Sequence, residues 1–400
     1  MNLHLQGQET GKTYGSYFSF FQVDLPDIIP HFRLFSISDI TTNQVYTNLK
    51  IGSLSTNNQY LDLEFNGINA QSISTQDIQA NPYTETNAIN AAKTMPTENN
   101  CGITQLATIQ NNQHLQQTGA NTAILTEENV EYLRTQHNEK ELIPFQYKLF
   151  LEGTAREKDN KLMQLDIIID CIKKPLLVGG NGKIHIGNEE NYSYYYILPK
   201  CDVIGTITLD GLTEQVTGTG WMDHQWGDFF STKNPIGLPV QFEWFSITTD
   251  GYGELLTGNC WWRDTGELIN DPYANGLHWY HPDGSLEIFD QYTIEHLEIW
   301  NDSFSNKKYA VQWKITEPTN EICLTINACF NNQMMRGSYI EPINKFLLAL
   351  APGSSFWEGS CLVTGTIGNQ QISGKAFVES THPYTTDDEH PGNNPNILQS

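Results

Sequence analysis

The sequence predicts an all-β protein made of two consecutive, related domains of the β-barrel or sandwich type. Three observations predict it: short β-rich runs separated by turn residues, the absence of long periodic helical patterns between them, and one strand pattern that occurs twice. Short strands punctuated by turns are typical of sandwiches and barrels, whereas parallel α/β folds need helices between their strands. A chain of 400 residues is long enough for two such domains.

The β-rich runs follow one another along most of the chain. Residues 145–170 contain two runs around a polar turn, which indicates a hairpin. Short strands are predicted next in YSYYYIL, GTITLDG and EQVTGTGW. The second half continues in the same way with QFEWFSITTDGYGELLTGNCWW, KKYAVQWKITEP, NEICLTINACF and FWEGSCLVTGTIGNQQISGKAFVES.

One strand pattern occurs in both halves of the chain. The segment QVTGTGWMD, which ends at Asp223, aligns without gaps with QISGKAFVE, which ends at Glu379. The tripeptide GTI occurs upstream of both segments, beginning at Gly205 and at Gly365. This repeat indicates two related domains that each end on the same kind of strand.

The boundary between the domains is predicted in FSTKNPIGLP, where Pro and Gly interrupt the strand pattern. We therefore assign residues 1–232 to the first domain and 233–386 to the second. Residues at about 80–140 form an insertion that is rich in Asn, Gln and Thr, and it is predicted to be either an ordered lid or a flexible insertion. One short helix is predicted within it, in TEENVEYLRTQ. Residues 387–400 contain almost nothing apolar and are predicted to be a disordered tail.

Charge and composition exclude several classes of partner. The formal net charge is −24 and no Lys/Arg cluster occurs, so no nucleic acid is expected to bind. No apolar stretch approaches the roughly 20 residues that cross a bilayer, so no transmembrane segment is expected. No signal peptide is visible in MNLHLQGQETGKTYG, so the cytoplasm is the default expectation for the compartment. If the chain is a processed form, a periplasmic or secreted location is expected instead. No pattern in the sequence selects an oligomeric state.

The segment GWMDHQWGDF carries the strongest candidate for chemistry. If it is a strand, Trp221, Asp223 and Gln225 share one face. His224 and Trp226 then lie on the other face. Partial burial beside tryptophan would raise the pKa of the aspartate and favour the neutral acid, which can donate a proton. The structural alternative is an aspartate that accepts backbone N–H bonds at a turn.

Aromatic residues elsewhere suit the lining of an apolar pocket. In YSYYY, Tyr194 and Tyr196 share one face of a strand and Tyr195 lies on the other. Such a run is usually explained by packing between the side chains of neighbouring strands. The functional alternative is that the tyrosine rings line a pocket and stabilise a cation. Further candidate binding residues are Glu243, Trp244 and Trp261.

The run NYSYYYILPKCDVIGTITLDGLTEQVTGTGWMDHQWGDF, followed by FEWFSITTDGYGELL, resembles the lipocalin-like carotenoid 1,2-hydratase (hydroxyneurosporene synthase) family and its bacterial relatives, often called secreted hydrolases. The closing FWEGSCLVTGT and GKAFVESTHPY, and the early GSYFSFFQVDL, are similar to the same family. The similarity covers most of the chain except about 50–140 and the tail. It implies two consecutive lipocalin-like β domains with an apolar pocket between or within them.

For its hydratase members, the family implies addition of water to an isoprenoid C=C bond with no cofactor, and Asp223 as the signature acid. We therefore expect a cofactor-independent hydratase of a long apolar, carotenoid-like substrate, with no metal site. Asp223 would protonate the less substituted alkene carbon, and Trp221, Trp226 or the tyrosines would hold the cation. Either Asp223 as carboxylate or His224 would then take the proton of the attacking water. Strict alternation places His224 opposite Asp223, so a bulge near Gly227 would be needed to unite them; otherwise His224 is structural.

Two other functions fit the same residues. Related fungal proteins of similar architecture are pericyclases that fold polyenes for a Diels–Alder reaction, with a signature like GYHDKNWG. This chain has Trp221, Met222 and Gln225 in that region, which places it nearer the bacterial branch. The third possibility is a non-catalytic carrier of lipid or pigment, in which Asp223 is a buried turn residue.

Overall fold

The computed structural model describes ten stretches of the chain. They are residues 1–22, 28–55, 102–105, 146–173, 175–185, 192–228, 240–262, 265–269, 276–336 and 355–381. The predicted insertion apart from 102–105, the short helix within it, the boundary segment before Val240 and the predicted tail lie outside the described residues.

The described residues form two antiparallel β-sheets and one short 3-10 turn, Arg156–Lys158, which confirms the prediction of an all-β fold with two lipocalin-like domains. The strands of the first sheet are β1 (Asn2–Gly7), β2 (Thr13–Gln22), β3 (Ile28–Asp39), β4 (Gln44–Ser55), β5 (Gly102–Gln105), β6 (Gln146–Ala155), β7 (Lys161–Cys171), β8 (Leu176–Leu177), β9 (Lys183–His185), β10 (Tyr192–Leu209) and β11 (Leu212–Asp228). The strands of the second sheet are β12 (Val240–Thr249), β13 (Glu254–Trp262), β14 (Leu277–Tyr280), β15 (Leu286–Phe289), β16 (Thr293–Asp302), β17 (Lys307–Glu317), β18 (Ile322–Ala328), β19 (Met334–Arg336), β20 (Ser355–Ile367) and β21 (Gln370–Ser380).

The two sheets share one strand order. The first runs β4-β3-β2-β1-β11-β10-β7-β6-β5 and the second runs β15-β14-β13-β12-β21-β20-β18-β17-β16. The predicted hairpin at 145–170 is present as the antiparallel pair β6 and β7. Because β11 and β21 hold the same place in their sheets, the sequence repeat that ends at Asp223 and at Glu379 corresponds to a repeat of topology.

The predicted break between YSYYYIL and GTITLDG is wrong, because β10 continues through both segments. Gly205, which suggested the break, has a φ of 153°, and Gly365 at the matching place in β20 has a φ of 154°. A Cβ atom at Gly205 would lie 2.2 Å from the carbonyl oxygen of Asp166. The glycine therefore allows close approach of β10 to β7 without ending the strand.

By contacts, the chain divides into two compact units. The first comprises Met1–Ile37, Tyr46–Pro175 and Leu198–Met222, and the second comprises Ser38–Val45, Leu176–Ile197 and the chain from Asp223 onward. The start of β10 and the end of β11 thus belong to the second unit. The bounds of 1–232 and 233–386, which follow the two sheets, stay a prediction.

The second unit has a core built mainly from alternating residues of the strands of the second sheet. Phe245, Trp313 and Trp357 form its aromatic centre, with ring centroids 5.6 Å apart for the first pair and 5.7 Å for the second. Such tilted and edge-on ring pairs are the favoured packing of aromatic side chains. In the part of the chain that the structure describes, no helix is long and apolar enough to cross a membrane.

Candidate active site

Asp223 lies near the end of β11 and accepts a hydrogen bond from the phenol of Tyr195 in β10. Asp223 is partly buried, while Tyr195 is only 3% exposed. Burial, and then the charge of Asp223, raise the pKa of Tyr195 well above its usual range. The phenol therefore keeps its proton at neutral pH and acts as the donor of this bond.

The hydroxyl oxygen of Tyr195 also accepts a hydrogen bond, from the indole N–H of Trp244 in β12, at 3.0 Å. The two rings lie 5.9 Å apart between centroids and are tilted by 35°. An indole can only donate, so this contact leaves the phenol proton free to point at Asp223. The result is an ordered chain of donors that runs from Trp244 through Tyr195 to the carboxyl group of Asp223.

A second carboxyl group, that of Glu379 in β21, lies close enough to Asp223 for the negative charge of Asp223 to affect its pKa. Glu379 is the direct cross-strand partner of Trp244 in β12 and of Glu358 in β20, so the three side chains share one face of the second sheet. Burial, and then the charge of Asp223, raise the pKa of Glu379 to about 7. Glu379 thus stands out as a carboxyl group that holds its proton near neutral pH.

Glu358 is more deeply buried than its partner, at 3% exposure. Burial, and then the charge of Glu379, raise the pKa of Glu358 well above its usual range. Its Oε2 atom has no hydrogen-bond partner among the described residues. Burial of an oxygen atom without a partner favours the neutral, protonated form of Glu358.

His224 belongs to a different arrangement. Its Nδ1 atom lies 3.0 Å from the hydroxyl of Tyr196, and the two rings are nearly perpendicular with centroids 5.1 Å apart. Burial lowers the pKa of His224 to about 4, so the imidazole is neutral at neutral pH. Because Tyr195 and Tyr196 are adjacent in a strand, the structure places His224 and Asp223 on opposite faces, as strict alternation predicts.

The remaining candidate residues lie in several places. Trp221 is buried in the first unit, where it pairs with Asn2 across β1 and β11. Tyr194 is buried and packs edge-on against Tyr192, 5.5 Å away between centroids. The side chain of Trp226 lies outside the described residues.

Glu243 and Trp261 lie on the face of the second sheet opposite to Trp244. Glu243 immediately precedes Trp244 in β12, and its neighbour Gln241 on the same face pairs with Trp261 in β13. Glu243 is fully buried and accepts hydrogen bonds from Nε2 of His296 at 2.7 Å and from the indole of Trp313 at 3.3 Å. Glu243 therefore belongs to the interior of the second unit, whereas Trp261, on the same face, is only partly buried.

Sequence reasoning missed Glu379, Glu358 and His296 as possible site residues. A signal for Glu379 was present, because the repeat aligned it with Asp223. No local sequence pattern marks Glu358 or His296 as a candidate, because their contacts are with side chains of other strands.

The comparisons with known proteins agree with this architecture. Residues 92–382 match the family model described as AttH-like. The solved structure of a protein described as AttH from Nitrosomonas europaea is similar, with a TM-score of 0.58 and 18% identity over 94% of this chain and 90% of that one. Kievitone hydratase from Nectria haematococca is similar too, with a TM-score of 0.57 and 13% identity over 94% of this chain and 86% of that one. No curated protein matches the sequence.

Proposed function

Since the chain belongs to the AttH-like family, we propose that it is a cofactor-independent hydratase that adds water to a C=C bond of an apolar, isoprenoid-like small molecule. The structural similarity to kievitone hydratase supports this proposal, because that protein is a hydratase with a similar fold. The observation that carries the proposal is the hydrogen-bonded chain from Trp244 through Tyr195 to Asp223.

Hydration of an alkene needs two proton transfers, one to carbon and one from water. A carboxyl group that is partly buried and held by a buried phenol is suited to such a transfer, because its orientation is already fixed before the substrate reacts. Asp223 has these properties. The proposed role of Asp223 is therefore to exchange a proton with the substrate or with the attacking water.

The aromatic rings beside Asp223 suit the other requirement of the reaction. Protonation of an alkene leaves a carbocation, and the faces of Trp and Tyr rings attract cations. Trp244 and Tyr195 are fixed by the same hydrogen bonds that fix Asp223. Trp244 is partly exposed, so its ring can present apolar surface to a ligand, whereas the ring of Tyr195 is buried behind it.

His224 takes no proton-transfer role in this proposal. With a pKa of about 4 it is a weak base, and it lies on the face of β11 opposite to Asp223. Its contact with Tyr196 gives it the role of a buried hydrogen-bonding partner that fixes the end of β11 against β10.

The substitution Asp223→Asn tests the proposal. It keeps the size of the side chain and removes the proton-transfer group, so turnover should fall by about 10²- to 10⁴-fold while ligand affinity stays near the wild-type value. The assay incubates the protein with geraniol, farnesol, lycopene or kievitone and detects the gain of one water by mass spectrometry. The exposed Asp202 of β10 provides a matched control, Asp202→Asn, which should keep full turnover.

Other outcomes distinguish the alternatives. Full turnover in Asp223→Asn would show that Asp223 transfers no proton. A cyclised product of unchanged mass, lost on Trp244→Ala but kept on Asp223→Asn, would indicate a pericyclase, because such an enzyme depends on pocket shape. Tight binding of a co-purified lipid with no product from any probe would indicate a carrier.

A further inference from the structure

We propose that Glu379 is the second catalytic carboxyl group of this site and donates the proton to the alkene, while Asp223 accepts the proton of the attacking water. This inference rests on the proposed hydratase function and assigns directions to its two proton transfers. It also gives a role to a residue that neither the family match nor the similar structures assign.

The first support is the position of Glu379 beside the donor chain. Trp244 pairs directly with Glu379 across β12 and β21, and the indole of Trp244 binds the phenol that binds Asp223. Both carboxyl groups are partly buried, so each keeps some access for a ligand. Glu379 and Asp223 therefore flank the same pair of aromatic side chains.

The second support is the difference between the two hydrogen-bond environments. Asp223 accepts a bond from a phenol whose proton is fixed in its direction, which favours the carboxylate form of Asp223. Glu379 lies instead beside Glu358, which is nine-tenths buried and has an unpartnered carboxyl oxygen. Burial is the largest influence on the carboxyl group of Glu379, and it favours the protonated form.

Electrostatics lead to the same assignment. Two neighbouring carboxyl groups do not both ionise readily, and one of them keeps a proton to higher pH. The charge of Asp223 adds to burial and raises the pKa of Glu379 to about 7. The raised pKa of Glu358 disfavours a further negative charge beside the pair. Asp223 and Glu379 then share one proton below about pH 7, and we place that proton on Glu379, which lies beside the buried Glu358.

The reaction balances with this pair alone. The O–H bond of Glu379 breaks and a C–H bond forms at the less substituted alkene carbon, which leaves a cation at the other carbon and a carboxylate at Glu379. The oxygen of water bonds to that carbon, and one of its protons passes to the carboxylate of Asp223. Transfer of that proton from Asp223 to Glu379 restores the starting state, and the net change is the addition of one water molecule.

Activity measurements test the direction of transfer. Wild-type turnover on the same alkene probes should fall as the pH rises through about 7, because Glu379 then loses the proton that it donates. Glu379→Gln should lower turnover by about 10²-fold or more with little change in KM, and Glu379→Asp should recover part of it. The exposed Glu295 of β16 is a matched control, and Glu295→Gln should behave as the wild type.

A titration of the protein alone tests the shared proton. Infrared spectroscopy of the protonated carboxyl C=O stretch should show a group that ionises near pH 7 in the wild type. This step should be absent in Glu379→Gln and should move to lower pH in Asp223→Asn, where the neighbouring charge is gone. It should persist in Glu358→Gln, where a neutral amide replaces a neutral acid.

The outcomes separate this inference from the proposed function. Turnover that is lost in Asp223→Asn but stays within threefold of wild type in Glu379→Gln overturns the donor role and leaves the hydratase function standing. An infrared step near pH 7 that persists in Glu379→Gln overturns the assignment of the proton. A wild-type protein that hydrates none of the probes, with the infrared titration as expected, overturns the hydratase function and the donor role together.

Discussion

A phenol between an indole and a carboxylate has only one proton to give, and its partners decide where that proton points. In this protein the indole of Trp244 occupies the hydroxyl oxygen of Tyr195, so the phenol proton is directed to Asp223. Tyr195 is thus a positioning residue for Asp223. It also lowers the proton affinity of the carboxylate that we propose as the acceptor.

The substitution Tyr195→Phe removes this bond and keeps the ring. Hydrogen bonds to charged groups contribute about 1.5–3 kcal/mol, so turnover on the alkene probes should fall by about 10- to 100-fold. The pH profile should change as well, because Asp223 would hold its own proton more tightly. Steady-state kinetics between pH 5 and 9 provide the measurement.

The adjacent substitution Tyr196→Phe is the control, because it removes a hydroxyl of the same kind on the opposite face of β10. It should reduce stability by leaving Nδ1 of His224 without this partner, yet the pH profile of turnover should stay that of the wild type. An unchanged profile in Tyr195→Phe would contradict the positioning role.

At the scale of strands, the edge strand β16 shows how an irregularity directs a side chain. Its pairing with β17 shifts register between His296 and Glu298 and again between Glu298 and Ile299. Bulges of this kind often change the direction of a side chain. Here His296 reaches Glu243 of β12, a strand far from β16 in the order of the sheet. The interior hydrogen bond between His296 and Glu243 therefore joins an edge strand to a central one.

Removal of one partner of this pair should be costly. In Glu243→Ala, His296 and the indole of Trp313 lose a buried acceptor, and breaking a buried pair in this way costs about 3–5 kcal/mol. Urea unfolding gives the free energy directly. The control is Glu295→Ala, whose side chain is 47% exposed and should cost at most about 1 kcal/mol. An equal loss of unfolding free energy in both variants would show that the interior pair contributes no more to stability than an exposed side chain.

Strand alternation explains how much of the site could be predicted. It correctly separated Asp223 from His224 and Tyr195 from Tyr196, because the faces of a strand follow from sequence position alone. The partners of these residues follow from register between distant strands, which the sequence does not encode locally. Trp244 beside Glu379, and Glu358 beside Glu379, became visible only when β12, β20 and β21 were in place.

The fold was more accessible than the site for a related reason. Turn residues and alternating apolar positions repeat along the whole chain, so an all-β fold in two related parts is supported many times over. The long strand β10 was missed in part because glycine usually marks an interruption. Gly205 marks a close approach of two backbones instead, which depends on the position of Asp166 in β7.

For the molecule as a whole, the proton on Glu379 links stability to pH. The pKa of Glu379 is about 7 in the folded chain against an ordinary value of 4.5, so the folded state binds this proton more tightly than the unfolded state. Its contribution to stability is fully present below about pH 4.5 and is lost as the pH rises through about 7.

Glu379→Gln should remove this dependence. Between pH 5 and pH 8, the free energy of unfolding of the wild type should fall relative to that of the variant, by about 1–2 kcal/mol once solvent screening is allowed for. Urea unfolding of both proteins across this pH range measures the difference. A constant difference between pH 5 and pH 8 would contradict the raised pKa.

The shared strand order of the two sheets bears on how a directed proton pair can arise. β11 and β21 occupy the same place in their sheets, and the sequence repeat aligns Asp223 with Glu379. Two identical acids in identical surroundings would bind a common proton with equal strength, and neither would be fixed as donor. A tyrosine beside one and a buried acid beside the other break that symmetry. Duplication supplies the two carboxyl groups, and the divergence of their neighbours supplies the direction of transfer.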